Sequence, residues 1–242
     1  MTGAILNAAG IIIGSLVGQT VLKGKRLAVT TEAFFKLILG LMTIFYGLRL
    51  VWLSVNGPFW LILKQIVVAA LAITVGKLLG QWLHFQKASN RLGHQAVRFI
   101  QNTRLDSPNR FSNGLNACTI LFCAAPLGIL GAVQDGLSGY FYPLAVKAVM
   151  DGLAMAGFVS LFGWGGMLAA LPVFLFQAAI ALSCNIYAEP FLRTHGLVDS
   201  VNMTGGLLVC TVGLVIFEFK KVELADFLPS LVVAPLITWL WR

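Results

Sequence analysis

Charge is scarce in this chain, and that scarcity excludes most soluble folds. Only 11% of the 242 residues are charged and 58% are hydrophobic, whereas soluble domains carry about 25% charged residues. Stretches of nearly 20 apolar residues recur along the whole length, as transmembrane helices require, and the alternating pattern of barrel strands is absent. We therefore predict an all-α, polytopic bundle of transmembrane helices that forms one integral domain in a lipid bilayer.

Several kinds of functional centre are also missing. The four cysteines lie in apolar stretches without Cys-x-x-Cys spacing, and the three histidines are scattered, so neither disulfides nor a metal site are predicted. No Ser, Cys or His is placed as a nucleophile with its base, so we predict no enzyme. Nucleotide-binding glycine motifs are missing too, and no cofactor is expected. The net charge of +8 sits in short loops between apolar stretches, which is typical of membrane proteins and not of nucleic-acid binders.

The apolar stretches predict eight membrane spans. They cover roughly residues 3–22, 33–54, 59–83, 114–133, 141–162, 166–187, 203–218 and 226–241. Basic residues cluster after the first, third and seventh spans, which by the positive-inside rule places those loops in the cytoplasm and both termini outside. The longest loop, 84–113, is predicted to be polar, cytoplasmic and partly helical. The basic residues that support this orientation are Lys23, Lys25, Arg26, Lys87, Arg91, Arg98, Arg104, Arg110, Lys220 and Lys221, while Arg49, Arg193 and Arg242 fall on the outer side.

Two sequence phrases recur at an offset of about 165 residues. The segment 63–71 resembles 228–236, and the segment 40–48 resembles 206–214. Five spans separate the partners, so spans 1–3 and 6–8 would run in opposite directions across the membrane. Such an inverted repeat is common in secondary transporters, and it would divide the chain into halves of about 1–83 and 164–242 around spans 4 and 5. Chance similarity among helices rich in Leu, Val and Gly is the alternative.

Two ionisable residues lie deep within the fifth predicted span. Lys147 and Asp151 are four residues apart and share one helix face. Asp151 falls roughly 15 Å into a hydrocarbon core about 30 Å thick. The phrase Ala-Val-x-Asp-Gly-Leu that ends near Asp151 also occurs around Asp135. Because intramembrane ionisable residues tend to mark ion or solute pathways, we predict a cation- or proton-coupling site. An ion pair that only locks the helix against its neighbours is the alternative.

Further polar residues in the apolar stretches are candidates for the same site. Thr204 is predicted to open the seventh span, where free N–H groups could bind an anion, although a hinge or packing role fits equally. Gln177 is a lone buried amide of the kind that more often joins helices than binds ligands. The complete set of predicted binding residues is Asp151, Lys147, Asp135, Gln134, Asn7, Asn116, Thr204 and Gln177.

Small residues predict where helices approach closely. Three glycines at four-residue spacing line one face of the first span and permit tight backbone packing. In the fourth span, Pro126 and its neighbouring glycines can kink or break the helix and free backbone carbonyls. The residues assigned to packing are Gly10, Gly14, Gly18, Gly128, Gly131, Gly205 and Gly206.

These residues resemble a bacterial family of multi-pass membrane proteins of the YdfK/YqgA type, whose function is unknown. The resemblance covers nearly the whole chain and includes the phrases 3–7, 121–123, 128–131, 134–136, 147–151, 204–208 and 228–235. One departure is Ala124-Ala-Pro126, where the family pattern favours Gly or Ser over proline. The resemblance implies a protein of the bacterial inner membrane and supports the choice of site residues, but it names no substrate.

Together the patterns favour a small secondary transporter or channel whose polar site lies in spans 4 and 5. The alternative is a non-transporting membrane scaffold or assembly partner, in which the glycine stripe of the first span is an oligomer face. A homodimer is expected, because 242 residues give a thin bundle and many transporters pair.

Overall fold

The structure is a computed structural model that describes residues 1–22, 28–104, 108–219 and 222–241. Over these residues the chain is almost entirely helical and contains no strand, so the predicted all-α bundle is confirmed. The first half comprises α1 (Thr2–Thr20), α2 (Val29–Ser54), α3 (Phe59–Leu83), α4 (Phe85–Gln101), α5 (Arg110–Ala124) and α6 (Pro126–Ser138). The second half comprises α7 (Tyr142–Phe162), α8 (Trp164–Met167), α9 (Ala170–Ser183), a π-helical turn (Cys184–Ala188), α10 (Glu189–Thr194), α11 (Val198–Ile216), a 3-10 turn (Leu224–Phe227) and α12 (Ser230–Leu240).

Six helical stretches of the described chain are long and apolar enough to cross a membrane, or seven if the bent pair α5–α6 counts as one span. The predicted eighth span is shorter, because it consists of a 3-10 turn followed by α12 with only 11 residues. Eleven helical residues extend about 16 Å, roughly half of the hydrocarbon core. Pro235 within α12 further limits regular hydrogen bonding. The membrane bundle is thus confirmed, and the count of eight spans is not.

The orientation of the bundle stays a prediction. Of the basic residues on which it depends, Lys23, Lys25, Arg26, Lys220, Lys221 and Arg242 lie outside the described residues.

α1 and α7 form a close parallel pair. The glycine stripe of α1 lies directly on the backbone of α7, at positions that also carry small residues. A Cβ atom added to Gly14 would lie 2.0 Å from the carbonyl oxygen of Gly152. Gly10 and Gly18 meet the carbonyl oxygens of residues 148 and 156 in the same way, each at 2.4 Å. Because the pairs advance together along both helices, the helices run in the same direction, and the stripe packs within the chain.

α2 and α11 form a second close pair, which is antiparallel. A Cβ atom on Gly47 would lie 2.7 Å from the Gly206 carbonyl oxygen, and one on Gly213 would lie 3.0 Å from the Gly40 carbonyl oxygen. From Gly40 to Gly47 the point of contact moves forward along α2 but backward along α11, from Gly213 to Gly206. The two helices therefore run in opposite directions. α3 and α12 also contact each other in this antiparallel sense.

Most of the predicted polar loop 84–113 is helix α4, which lies against the bundle. Its apolar face packs on α5 through the buried Ala96 and the half-buried Phe99. Its first turn is held by Asp226, whose Oδ1 accepts the Gln86 backbone N–H at 2.8 Å. The Gln86 side chain returns the contact by accepting the Ala225 N–H at 3.1 Å. This reciprocal pair joins the start of α4 to the turn before α12.

The fourth predicted span is broken near its centre. α5 and α6 meet at an angle of 62°. Ala125 between them is extended, with φ −66° and ψ 120°. Pro126 explains the break, because proline has no N–H for an intrahelical bond and disfavours helical geometry in the preceding residue. The helix boundary therefore leaves free backbone groups at the C-terminus of α5 and the N-terminus of α6, where Ala124, Ala125 and Pro126 are half-buried.

Candidate functional site at a broken helix

A buried ion pair lies near the middle of α7. Lys147 and Asp151 are 1% and 7% exposed, and the Lys147 Nζ donates to Asp151 Oδ2. Asp151 is the tenth of 21 residues in the helix, which places it roughly 14 Å from the start of α7. The Lys147 ammonium also lies 5.7 Å from the centre of the Phe122 ring on α5. The two ionisable residues are therefore in contact on one face of α7, as their four-residue spacing predicts.

Two buried amides extend this ion pair to α1 and α9. Asn7 and Gln177 are both fully buried, and the Asn7 Nδ2 donates to Gln177 Oε1 at 3.2 Å. Asn7 also approaches the Asp151 carboxylate. The amides therefore link α1, α7 and α9 through one polar network, with Asn7 between the carboxylate and Gln177.

The helix break lies directly beside this network. A Cβ atom on Gly128, in the first turn of α6, would lie 2.9 Å from Lys147 Cε and 3.3 Å from Gln177 Nε2. Lys147 and Gln177 thus converge on the N-terminal turn of α6. Asn7, Lys147, Asp151, Gln177 and Gly128 are from here called the central cluster.

Some polar atoms of the central cluster have no partner. Within the described part of the chain, Asn7 Oδ1 and Gln177 Nε2 are buried and make no hydrogen bond. The buried hydroxyl of Thr119 on α5 likewise makes no hydrogen bond to any described residue. Buried polar groups are nearly always paired with protein or with ordered water. The cluster therefore has unused capacity for hydrogen bonds to water or a bound solute.

Asp135 does not belong to the central cluster. It follows Gly128 by seven residues, or about 10 Å along α6. Its Oδ2 accepts the Gly3 backbone N–H at 3.0 Å and lies 2.9 Å from the Met1 amino nitrogen. A carboxylate at this position satisfies free N–H groups of the first turn of α1. The structure thus places Asp135 as a cap for α1, and does not bring it to Lys147.

Gln134 lies in a second buried polar region between α6 and α11. It is fully buried, and among the residues described neither its Oε1 nor its Nε2 has a partner. Gly205 makes room for it, since a Cβ atom there would lie 2.1 Å from Gln134 Nε2. Thr204, one residue earlier, donates its hydroxyl to the Ser200 carbonyl of its own helix at 2.8 Å. The Thr204 hydroxyl is therefore satisfied within its own helix, and it is the neighbouring Gly205 that approaches Gln134.

Two sequence-based placements were wrong. Asn116 is exposed and does not join the central cluster. The buried stripe of α5 runs through Gly114, Cys118 and Phe122, and Asn116 lies about 200° around the helix from Cys118. Thr204 does not open a span either, because α11 begins six residues earlier at Val198. The backbone N–H groups around Thr204 therefore lie inside the helix. They cannot form an anion site of the kind found at a free helix N-terminus.

An aromatic cluster at the start of α7 was not anticipated from the sequence. The Arg49 guanidinium lies 4.7 Å from the centre of the Tyr142 ring, and Tyr142 stacks on Tyr46 at 4.7 Å. The Tyr140 hydroxyl donates to the Tyr46 carbonyl at 2.7 Å, and burial raises the pKa of Tyr140 to about 12. Tyrosines beside an arginine at the ends of predicted spans are typical of a membrane interface, and that signal was available in the sequence.

Two apolar cavities lie on the outside of the helix break. The larger, of about 850 Å³, runs from α4 to α12 and reaches Thr119, Cys123 and Pro126. The smaller, of about 520 Å³, continues along α6 towards the π-helical turn and shares Ile129 and Leu228 with the first. Both are lined almost wholly by apolar side chains, so the polar chemistry stays on the inner side of the break.

The chemical inventory of the central cluster is one ammonium, one carboxylate and two amides. Among the described residues, His, Cys, Asp and Glu side chains nowhere gather in a group of three that could hold a metal. The cluster can hold a proton, bind a small charged or polar solute, or stabilise the bundle as an ion pair.

The profile of a family described as "Protein of unknown function (DUF554)" matches residues 2–239. The chain is 28% identical over 239 residues to the "Uncharacterized membrane protein YdfK" of Bacillus subtilis (strain 168), covering 98% of this chain and 95% of that protein. It is 25% identical over 240 residues to the "Uncharacterized protein YqgA" of Escherichia coli (strain K12), covering 99% and 97% respectively. No solved structure matches the chain.

Proposed function

Because the chain belongs to the DUF554 family of proteins of unknown function, we propose a role for it from its own geometry: a membrane transporter or channel for a small solute or ion, coupled to cations or protons through Asp151 and Lys147. One observation carries the proposal. A buried ion pair, with residues 1% and 7% exposed, lies against a helix that breaks by 62° in the middle of a span.

The free-energy cost of burying the Lys147–Asp151 ion pair supports a role in transport. Removing two charges from water costs several kcal/mol per ion, and apolar residues of the same volume are often as stable. Charged residues that persist at membrane depth therefore tend to serve ion or solute pathways. Lys147 and Asp151 also have free amide neighbours, so either charge can exchange its partner for a proton or a solute.

The helix break supports the same role. Irregular backbone at membrane depth occurs where it is buried in protein or lines a cavity. In several secondary transporters, discontinuous helices direct their polar ends at ions and substrates near the membrane midplane. The break at Ala125 has this relation to Lys147 and Gln177, because Gly128 of the new helix faces both side chains.

An inverted repeat is part of the proposal, and the glycine contacts of α2 and α11 support it. The sequence similarity aligns Gly40 with Gly206 and Gly47 with Gly213. In the structure Gly40 meets Gly213, and Gly47 meets Gly206. Exchanging the two halves converts each contact into the other, which is the property of an interface on a two-fold axis. We retain with it the placement in a bacterial inner membrane with both termini outside.

The competing proposal is a non-transporting scaffold in which the ion pair is structural. The closed state of the central cluster favours it, since Asn7, Lys147 and Gln177 are at most 1% exposed and the glycine seam of α1 fixes α7 tightly.

The first experiment is a flux measurement in proteoliposomes with the Asp151→Asn variant. Proton movement is followed with an enclosed pH-sensitive dye while candidate solutes are added outside. The variant keeps the shape of the carboxylate but cannot exchange a proton, so we expect coupled flux to fall to background. Glu218→Gln is the matched control, because that carboxylate is exposed and lies outside the cluster. Unchanged flux in a folded Asp151→Asn variant would refute the coupling role.

A charge swap separates the two proposals. The double variant Lys147→Asp with Asp151→Lys keeps one ammonium and one carboxylate on the same helix face. A scaffold should recover both folding and function, whereas a transporter should recover folding but lose flux, because the charges then face the wrong neighbours.

A further inference from the structure

We propose that the central cluster binds a small monovalent oxyanion, such as a carboxylate, between Lys147, Gln177 and the N-terminal turn of α6. This inference rests on the proposed function and deepens it, because it names the class of solute that the site accepts. It draws on three observations: the direction of the two buried amides, the donors that converge on Gly128, and the charge balance around Asp151.

The direction of the amides follows from their neighbours. The Asn7 Nδ2 donates to Gln177 Oε1 at 3.2 Å. With its oxygen facing Asn7, Gln177 must direct its own NH₂ group away, towards α6. That nitrogen is the buried Nε2 for which the described residues supply no acceptor.

Two side chains that end in hydrogen-bond donors pass close to Gly128. Gln177 Nε2 lies 3.3 Å from the position that a Gly128 Cβ would take, and Lys147 Cε lies 2.9 Å from it. Of the first turn of α6, Pro126 has no N–H and the Gly128 N–H is bonded to the Ala125 carbonyl at 2.9 Å, which leaves the Leu127 N–H as a donor. A helix N-terminus carries about half a positive charge and favours anions. Because Gly128 has no side chain, the methylene stem of Lys147 and the Gln177 amide can approach the first turn of α6 this closely.

Charge balance indicates what accompanies the anion. Lys147 and Asp151 together are neutral, so a bound anion would add one uncompensated charge unless Asp151 takes up a proton. The titratable groups that face Asp151 are Lys147 on its own helix and the thiols of Cys118 and Cys123 on α5. α1 and α9 contribute amides. One proton from water therefore neutralises Asp151, and the anion takes its place on the Lys147 ammonium.

The test is anion binding to the purified full chain in nanodiscs, measured by calorimetry with sodium formate and sodium nitrate at constant ionic strength. We expect saturable binding that strengthens as the pH falls and does not change when choline replaces sodium. In Asp151→Asn the Lys147 charge has no competitor, so formate should bind at least as tightly as in the wild type and without the pH dependence.

Two further variants test the location. Gly128→Ala adds a Cβ that would lie 2.9 Å from Lys147 Cε and so displaces the Lys147 side chain, and Gln177→Leu removes the amide donor, so each should weaken formate binding about tenfold or more. Gly157→Ala is the matched control, because a Cβ at Gly157 would meet no described atom within 4 Å, and it should bind formate normally. Size-exclusion profiles confirm folding of each variant.

The outcomes separate this inference from the proposed function. If neither the wild type nor Asp151→Asn binds formate or nitrate, or if Gly128→Ala and Gln177→Leu bind as the wild type does, the oxyanion site is refuted. Flux that depends on Asp151 without anion binding would refute the oxyanion alone and leave transport standing. Anion binding without any flux would refute transport and leave the site standing.

Discussion

Replacing Gly14 by alanine should loosen the α1–α7 seam. An added Cβ atom would lie 2.0 Å from the Gly152 carbonyl oxygen and 2.6 Å from the Gly152 Cα. All of these atoms are backbone, so no side chain can rotate to make room. Since real Cβ atoms essentially never come closer than 3.0 Å, the helices must separate by about 1 Å. Overpacking of this kind costs roughly 1–3 kcal/mol.

The magnitude follows from two opposing effects. Alanine is a better helix former than glycine by about 1 kcal/mol, which offsets part of the clash. Because the Cβ conflicts with three backbone atoms of Gly152, we take the upper part of the overpacking range. The expected net loss in the free energy of unfolding is about 2 kcal/mol. Gly10→Ala should lose less, because its nearest contact is longer, at 2.4 Å.

The assay is equilibrium unfolding in mixed micelles, followed by circular dichroism. Gly157→Ala again serves as the control, since it makes the same chemical change on α7 in open space, and it should be neutral or stabilising by up to about 1 kcal/mol. The reasoning is refuted if Gly14→Ala is as stable as Gly157→Ala, because the two helices would then not be held at the distance described.

Three further predictions concern the contacts that position the site. Asp226→Ala removes the acceptor of the Gln86 N–H and should cost about 1 kcal/mol, with faster hydrogen exchange in α4; unchanged exchange there would contradict the cap. Lys147→Met should destabilise the bundle by about 3–5 kcal/mol because Asp151 is left unpaired, while the double variant with Asp151→Asn should recover most of that loss in a double-mutant unfolding cycle. Tyr140→Phe should cost about 1 kcal/mol for the lost hydroxyl bond, measured as a lower midpoint of thermal unfolding, and an unchanged midpoint would show that the bond contributes nothing.

Periodicity predicted the features that depend on one helix alone. Lys147 and Asp151 share a face because they are four residues apart, and the glycines of α1 form a stripe for the same reason. The break at Pro126 was also accessible, because proline acts through its own missing N–H. The sequence could not reveal which helix each face meets. Thus Gln177 was a candidate by itself, but its convergence with Lys147 on Gly128 required the tertiary structure.

The errors have physical causes. Polarity within an apolar span makes Asn116 a candidate, but its helical phase relative to Cys118 turns it away from the buried stripe of α5. The start of α11 was placed too late because Asp199, Ser200 and Asn202 resemble a polar loop. The structure buries Ser200 and Asn202 within the helix, which shows tertiary packing overriding composition. Asp135 was grouped with Asp151 on the strength of a repeated phrase, yet the two carboxylates have different partners.

The parallel seam of α1 and α7 bears on the order in which the protein assembles. It joins Gly10 to Ala148. After Gly10 has been synthesised, the ribosome must add another 138 residues before its partner in the seam exists. At translation rates of about 5–20 residues per second, this interval is roughly 7–28 s. During that time Asn7 is without the Gln177 oxygen that accepts its bond in the finished bundle. α1 must therefore wait with its amide unsatisfied by this partner, and the central cluster can form only after Gln177 has been synthesised, 170 residues later.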